Sequence, residues 1–284
     1  MQARESSPSI AALKWLADTH PGRYRTRNED AFVLMCFDTR ELCYLGKQGH
    51  MASEGKHFLF AVSDGIGGGK GGGYASQSAL RSLSSLISQT FHRAASSHEI
   101  PYEVLLRRFV EHMHQRLLGL SRSYEECHRM GATLTLGWIH HEQLRFAHLG
   151  DSRLFHLRGP EQCRQLSEDH TVAAQKVRQG ILTPQQAKRD AASHVLTRSL
   201  GAGARPDEPQ VGSLTLSPGD RLLFCTDGLT DTLSDYRIAK TLYDPPPYLE
   251  GLDPMQSLIR EALDGSGRDN LTAILVDCLP GESL

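Results

Sequence analysis

The 284 residues carry 31 Lys and Arg against 33 Asp and Glu, a formal charge of −2. That balance leaves no basic footprint for nucleic acid or an anionic membrane, so a phosphate-bearing partner must be held by a local site. No apolar run approaches the roughly 20 residues of a membrane span, and the opening MQARESSPSIAALKW lacks a signal peptide's apolar core, so a cytoplasmic protein is expected. Six scattered cysteines form no C-x-x-C pair, which speaks for reduced thiols rather than a zinc site or disulfide framework.

In chain order, Ala11–Asp18, Ala31–Phe37 and His57–Ser63 are predicted strands, apolar and bounded by turn-formers. The polar stretch from 38 to 56 between the second and third is predicted to be a long hairpin loop. From Tyr74 to Phe91 apolar residues recur at three and four, the period of an amphipathic helix, and a second helix follows Pro101. The alternation in GATLTLGWIHHEQLRFAHLGDSRLFHLRG then predicts an antiparallel meander. Residues 170–190 form two short helices, with Gly180 ending the first and Thr183-Pro184 starting the second. Gln210–Leu216, Arg221–Thr226 and Leu271–Cys278 supply the last strands, with helices near Tyr236–Leu242 and Met255–Leu263, and DPPPY at 244–248 as a rigid loop. Antiparallel runs with paired helices predict an α+β fold of two packed sheets flanked by helices, in one domain spanning 1–284.

The acids fall in an unusual pattern. Glu29 and Asp30 (RNED), Asp64 (SDGIGG), Asp151 (LGDSR), Asp227 (CTDGL) and Asp269 (GRDN) sit at strand ends or turns rather than on helix faces. Asp64 and Asp227 each follow an apolar strand and precede glycine, which would let a carbonyl or water approach without a Cβ in the way. One Asp-Gly alone is a turn signal. Taken together, these acids suit hard divalent ions, which take oxygen ligands and few carboxylates each, and two such ions can activate water and stabilise an in-line displacement at phosphorus.

These residues resemble the metal-dependent type 2C (PPM) protein phosphatases, in their bacterial branch. The resemblance runs in order through GRYRTRNEDAF, FAVSDGIGGG, GATLTLGWI, AHLGDSRLFHL, LSEDHTVAAQKVRQGILT, HVLTRSLG, LLFCTDGLTDTLSD and GRDNLTAILV. It implies a four-layer αββα sandwich with a flap subdomain at about 168–195. It also implies two catalytic Mn²⁺ or Mg²⁺ ions, with Asp64 bridging them and the Gly65 carbonyl beside them. Asp227 and Asp269 would complete one ion, Glu29 and Asp30 would hold the other, and Asp151 with Asp227 would take a third, weaker one. Arg25 would bind the substrate phosphate, for which a guanidinium fork is well shaped. The implied reaction is hydrolysis of phosphoserine or phosphothreonine in proteins by hydroxide bound at the two ions. The chain would act as a monomer opposite a Ser/Thr kinase or on its targets, and the alternative is a catalytically weak module that binds phosphoproteins.

The sequence departs from the family at two places. His20 stands where bacterial relatives carry an acid, and the loop after Asp64 offers Ile66 and Gly69 where a histidine is often found. His20 is therefore the candidate general acid. His170 is predicted to be a helix-entry or packing residue, Lys70 to face solvent, and the remaining histidines to lie on the surface. A dinucleotide fingerprint can be traced through Gly67, Gly69 and Gly72, but the acid expected about 20 residues on is missing, Glu99 being misplaced. A P-loop fails because Gly71 follows Lys70 where Ser or Thr is required.

Overall fold

The computed structural model describes residues 9–67, 71–96, 101–202 and 208–281; Gly69, Lys70 and Glu99 lie outside them. The chain opens with β1 (Ile10–His20), β2 (Ala31–Phe37), β3 (Leu42–Tyr44), β4 (Gln48–Ala52), β5 (His57–Ser63) and β6 (Gly65–Ile66). Two helices, α1 (Gly71–Ser96) and α2 (Tyr102–Ser123), lead to β7 (Gly131–Ala132), β8 (Leu134–His140), β9 (Gln143–Leu149), β10 (Arg153–Leu157) and β11 (Cys163–Gln165). Short helices α3 (Val172–Arg178) and α4 (Pro184–Ala187) precede β12 (Leu200–Gly201), β13 (Gln210–Thr215) and β14 (Arg221–Cys225). The last elements are α5 (Asp227–Thr230), α6 (Asp235–Tyr243), α7 (Pro254–Gly265) and β15 (Leu271–Pro280).

Two six-stranded antiparallel sheets form the centre, in the orders β11-β10-β14-β15-β1-β4 and β13-β9-β8-β5-β2-β3. Their packing follows from strand alternation. On β5, which is buried along its whole length, Phe58, Phe60 and Val62 face the other sheet and meet Trp15, Phe224, Ile274 and Val276. Leu59 and Ala61 point the opposite way, onto Leu83 and Ile87 of α1 and Phe109 and Met113 of α2. The outer face of the first sheet packs Phe155, Leu223 and Leu275 against Ile238, Leu242, Leu258 and Ile259 of α6 and α7. The result is the predicted αββα sandwich. Each buried Phe or Leu stabilises it by about 1.5–3 kcal/mol through burial alone.

Two sequence expectations change, and one strand is added. The polar segment 38–56 is not simply a loop, because β3 extends one sheet beside β2 and β4 extends the other beside β1. These short outer strands alternate half-buried and exposed residues, so their hydrophobic signal is weak. β11 was likewise too short and polar to predict. The histidines are not generally on the surface either: His57, His114, His148 and His156 are buried. His57 stacks between Phe37 and His140 and accepts the Trp138 indole N–H at 3.1 Å, so aromatic packing and a hydrogen bond replace the water it loses. Burial holds its pKa down at about 3. Among the described residues no helix is long and apolar enough to cross a membrane.

Candidate metal centre and active site

The acids stand at strand ends: β5, β9 and β14 finish just before Asp64, Asp151 and Asp227, while β2 and β15 start just after Asp30 and Asp269. Asp64 leaves β5 with its backbone N–H donating to Thr133 Oγ1 at 2.8 Å, while its carbonyl accepts the Thr133 N–H at 2.8 Å. Thr133 in turn bonds Ser152 Oγ at 2.7 Å, so the GAT and GDS motifs fix the position of Asp64. Gly65 donates to the Glu29 carbonyl at 3.2 Å. A Cβ at Gly65 would stand 2.0 Å from the Gly72 carbonyl oxygen, and one at Gly72 would stand 3.0 Å from the Glu29 carboxylate. The bare backbone predicted to admit a ligand is therefore first needed to admit the N-terminal turn of α1, which closes on β6 and on Glu29.

Asn270 ties the loop after β1 to β15. Its side-chain oxygen accepts the Glu29 N–H at 2.8 Å, and its amide group donates to the Pro21 and Arg27 carbonyls at 2.9 Å each. Thr226 Oγ1 donates to Asp30 at 2.8 Å and accepts the Thr272 N–H at 3.0 Å. Arg25 donates to Asp269 at 2.7 Å from a half-exposed position. The His20 ring folds back on its own loop, Nδ1 accepting the Gly22 N–H at 2.9 Å. His170 packs at the base of the 170–197 segment: its Nδ1 accepts the Gly150 N–H at 3.2 Å, and its N–H reaches the Gly150 carbonyl at 2.8 Å. Thr171 caps α3, as a helix-entry position should.

The electrostatics show what these acids lack. Burial raises the Asp64 carboxyl well above the usual range, and Asp227, Asp30, Asp151 and Asp269 push it further. Asp227 is raised in the same way by burial, Asp151 and Asp231. Burial lifts Asp30 to about 6 and Asp151 to about 7. Carboxylates this close and this desolvated cannot all ionise without cations. Arg25 is one half-exposed guanidinium against at least six acids. An all-oxygen donor set of this kind fits hard divalent ions, whose charge would reverse the penalty.

A cleft of about 840 Å³ opens beside Asp151, Asp227 and Asp269, walled on its other side by Thr171, Ala174 and Lys188 of the α3–α4 segment. Two of its residues escaped the sequence reading. Asp231 lies one turn after Asp227, and His194 places Nδ1 3.6 Å from an Asp231 oxygen. The i, i+4 spacing of Asp227 and Asp231 was a usable signal; nothing local marked His194.

A protein-family comparison decides what this arrangement belongs to: residues 47–276 match the model described as Protein phosphatase 2C. The chain belongs to the protein phosphatase 2C family. Protein phosphatase PhpP of Streptococcus pneumoniae is 30% identical over 260 residues, covering 91% of this chain and 94% of the relative. The Streptococcus agalactiae serine/threonine phosphatase structure superposes with a TM-score of 0.77 at 28% identity, covering 93% of this chain and 99% of that one. The catalytic domain of PstP, crystallised with two manganese ions, gives 0.72 at 28% identity over 94% and 99% of the two chains. As a phosphatase 2C the chain is a serine/threonine phosphatase. All six cysteines are free, and burial pushes Cys36, Cys163 and Cys278 up to about 12.

Proposed function

We propose that this phosphatase removes phosphate from phosphoserine and phosphothreonine in proteins, using divalent ions held by the strand-end acids. The observation that carries this reading is the desolvated cluster of Asp30, Asp64, Asp151 and Asp227 at one end of the sandwich, with the Arg25–Asp269 ion pair at its edge. Bound ions would supply charge neutralisation and an activated water. Asp64, held between Thr133 and the Gly65 turn, would serve two ions, with the Gly65 carbonyl beside it. Asp227 and Asp269 would serve one ion and Glu29 with Asp30 the other, while Asp151 with Asp227 would take a third. Manganese is the first ion to test, because the related PstP domain was crystallised with two manganese ions; magnesium is the second.

Asp269 orients Arg25 so that the rest of its fork can receive the substrate phosphate. His20 Nδ1 accepts a hydrogen bond, which leaves Nε2 to carry the proton of the neutral ring and makes it the candidate donor to the leaving alkoxide. Residues 1–284 would act as one domain with 168–195 as a flap beside the cleft. A cytoplasmic monomer acting on the targets of a Ser/Thr kinase is the biological setting we infer. Phosphate release from a phosphothreonine peptide with Mn²⁺ should be abolished by EDTA and by Asp64→Asn. Turnover that survives both would overturn the reading.

A further inference from the structure

The cleft holds a donor that the catalytic acids do not account for. Candidate ligand atoms of Asp151, Asp227 and His194 all lie within 4.8 Å of one another. Donors at about 2.0–2.2 Å from one ion stand up to roughly 4 Å apart, so a closure of under about 1 Å would bring the three into a single coordination shell. Asp151 is only 8% exposed, lines the cleft, and among the described residues receives no hydrogen bond from another residue. It is a buried carboxylate lining the cleft whose hydrogen bond comes from its own backbone N–H. His194 comes from the opposite wall, and the backbone around it is pinned: the Val172 N–H donates to the Val195 carbonyl at 2.8 Å, and the Thr197 N–H to the His170 carbonyl at 2.8 Å.

We propose that His194 supplies an imidazole nitrogen to the ion held by Asp151 and Asp227, so that a transition-metal ion ties the 170–197 segment to the sheet end. This rests on the reading above that Asp151 and Asp227 share an ion; the imidazole, the metal preference and the tie are additional. Mg²⁺ favours oxygen donors and retains its waters, whereas imidazole is a donor for transition-metal ions, Zn²⁺ taking it most readily and Mn²⁺, lowest of the series in affinity, taking it beside carboxylates. The acids around Asp64 bring only oxygen donors and have no such reason to discriminate. In Mg²⁺ alone the segment is therefore left untied, and in Mn²⁺ it closes over the cleft. An Asp231 oxygen stands 3.6 Å from His194 Nδ1, so a second carboxylate adjoins the imidazole.

The test uses the untagged full-length chain. Pulsed electron paramagnetic resonance of Mn²⁺ should show ¹⁴N coupling once the weakest site fills, and His194→Ala and His194→Asn should both remove it. Calorimetric titration should show that site weakened at least about tenfold for Mn²⁺ in both variants, with Mg²⁺ binding unchanged. Tryptic cleavage at the exposed Lys188-Arg189 should slow in Mn²⁺ for the wild type only. Because His194 is 62% exposed, neither variant should unfold the chain. Nitrogen coupling that persists in His194→Ala, or its absence at full Mn²⁺ occupancy, would overturn the proposal while leaving the phosphatase reading intact. If the chain bound no Mn²⁺ at all, both would fall.

Discussion

Stripping the metal should make stability fall as pH rises from 6.5 to 8. Asp30 and Asp151 have folded pKa values raised to about 6 and about 7, and Asp64 and Asp227 are raised well above the usual range. A carboxyl raised in the folded state binds a proton that the unfolded chain has released, so its contribution is full at low pH and is lost as pH climbs through the folded value. His57, His148 and His170 shift the other way, with folded values of about 3, about 4 and about 3. Their contribution is lost as pH falls through the ordinary value of 6.5. At pH 6.5 each is still half protonated in the unfolded chain, so the three together regain about 1 kcal/mol by pH 8, which offsets Asp30 and Asp151 and leaves the net fall to Asp64 and Asp227.

Across 1.5 pH units, a carboxyl protonated throughout would cost up to about 2 kcal/mol, and one titrating near 7 costs just under about 1 kcal/mol. The cluster should therefore lose on the order of 1–4 kcal/mol, several degrees in Tm for a chain of this size. The assay is thermal or urea unfolding in EDTA at pH 6.5, 7.2 and 8. Saturating Mn²⁺ should abolish or reverse the slope, since ions favour the ionised acids and bind more tightly as protons leave. Metal-free stability that is flat or rises over this window would show that the acids do not form the coupled, desolvated group described above.

Other outcomes follow from individual contacts. Asn270→Ala removes three hydrogen bonds between β15 and the loop carrying Glu29, and should cost about 3 kcal/mol in urea unfolding; a loss below about 0.5 kcal/mol would mean the loop is held elsewhere. Gly65→Ala forces β6 away from the first turn of α1, and calorimetry should find the tight Mn²⁺ sites gone even in protein that still folds. Arg25→Lys keeps the charge but gives up the fork, and should lower kcat/KM on a phosphothreonine peptide by at least tenfold, about 1.4 kcal/mol. Unchanged kinetics would remove Arg25 from the substrate site.

The sequence disclosed the parts of the molecule where one physical signal dominates. β5 reads as a strand because both its faces are buried and every position is apolar or small, apart from His57 and Ser63. The acids could be assembled in advance because strand ends, glycines and small hydroxyl residues recur around each. β4 was illegible for the opposite reason: QGHMA carries little apolar signal, and it pairs with β1 because Gly49 leaves space that the Trp15 ring fills. His57 misled because a buried histidine depends on partners far along the chain, Trp138 and His140, which no local window contains. His194 shares that difficulty, since only the folding back of the 170–197 segment brings it to Asp151.

The most direct test of the account is the number of Mn²⁺ ions bound at equilibrium by the wild type and by Asp64→Asn, with circular dichroism confirming that both are folded. We expect at least two tightly held ions in the wild type and the loss of tight binding in the variant. Equal occupancy in the two proteins would contradict the claim that Asp64 is the centre of the metal site.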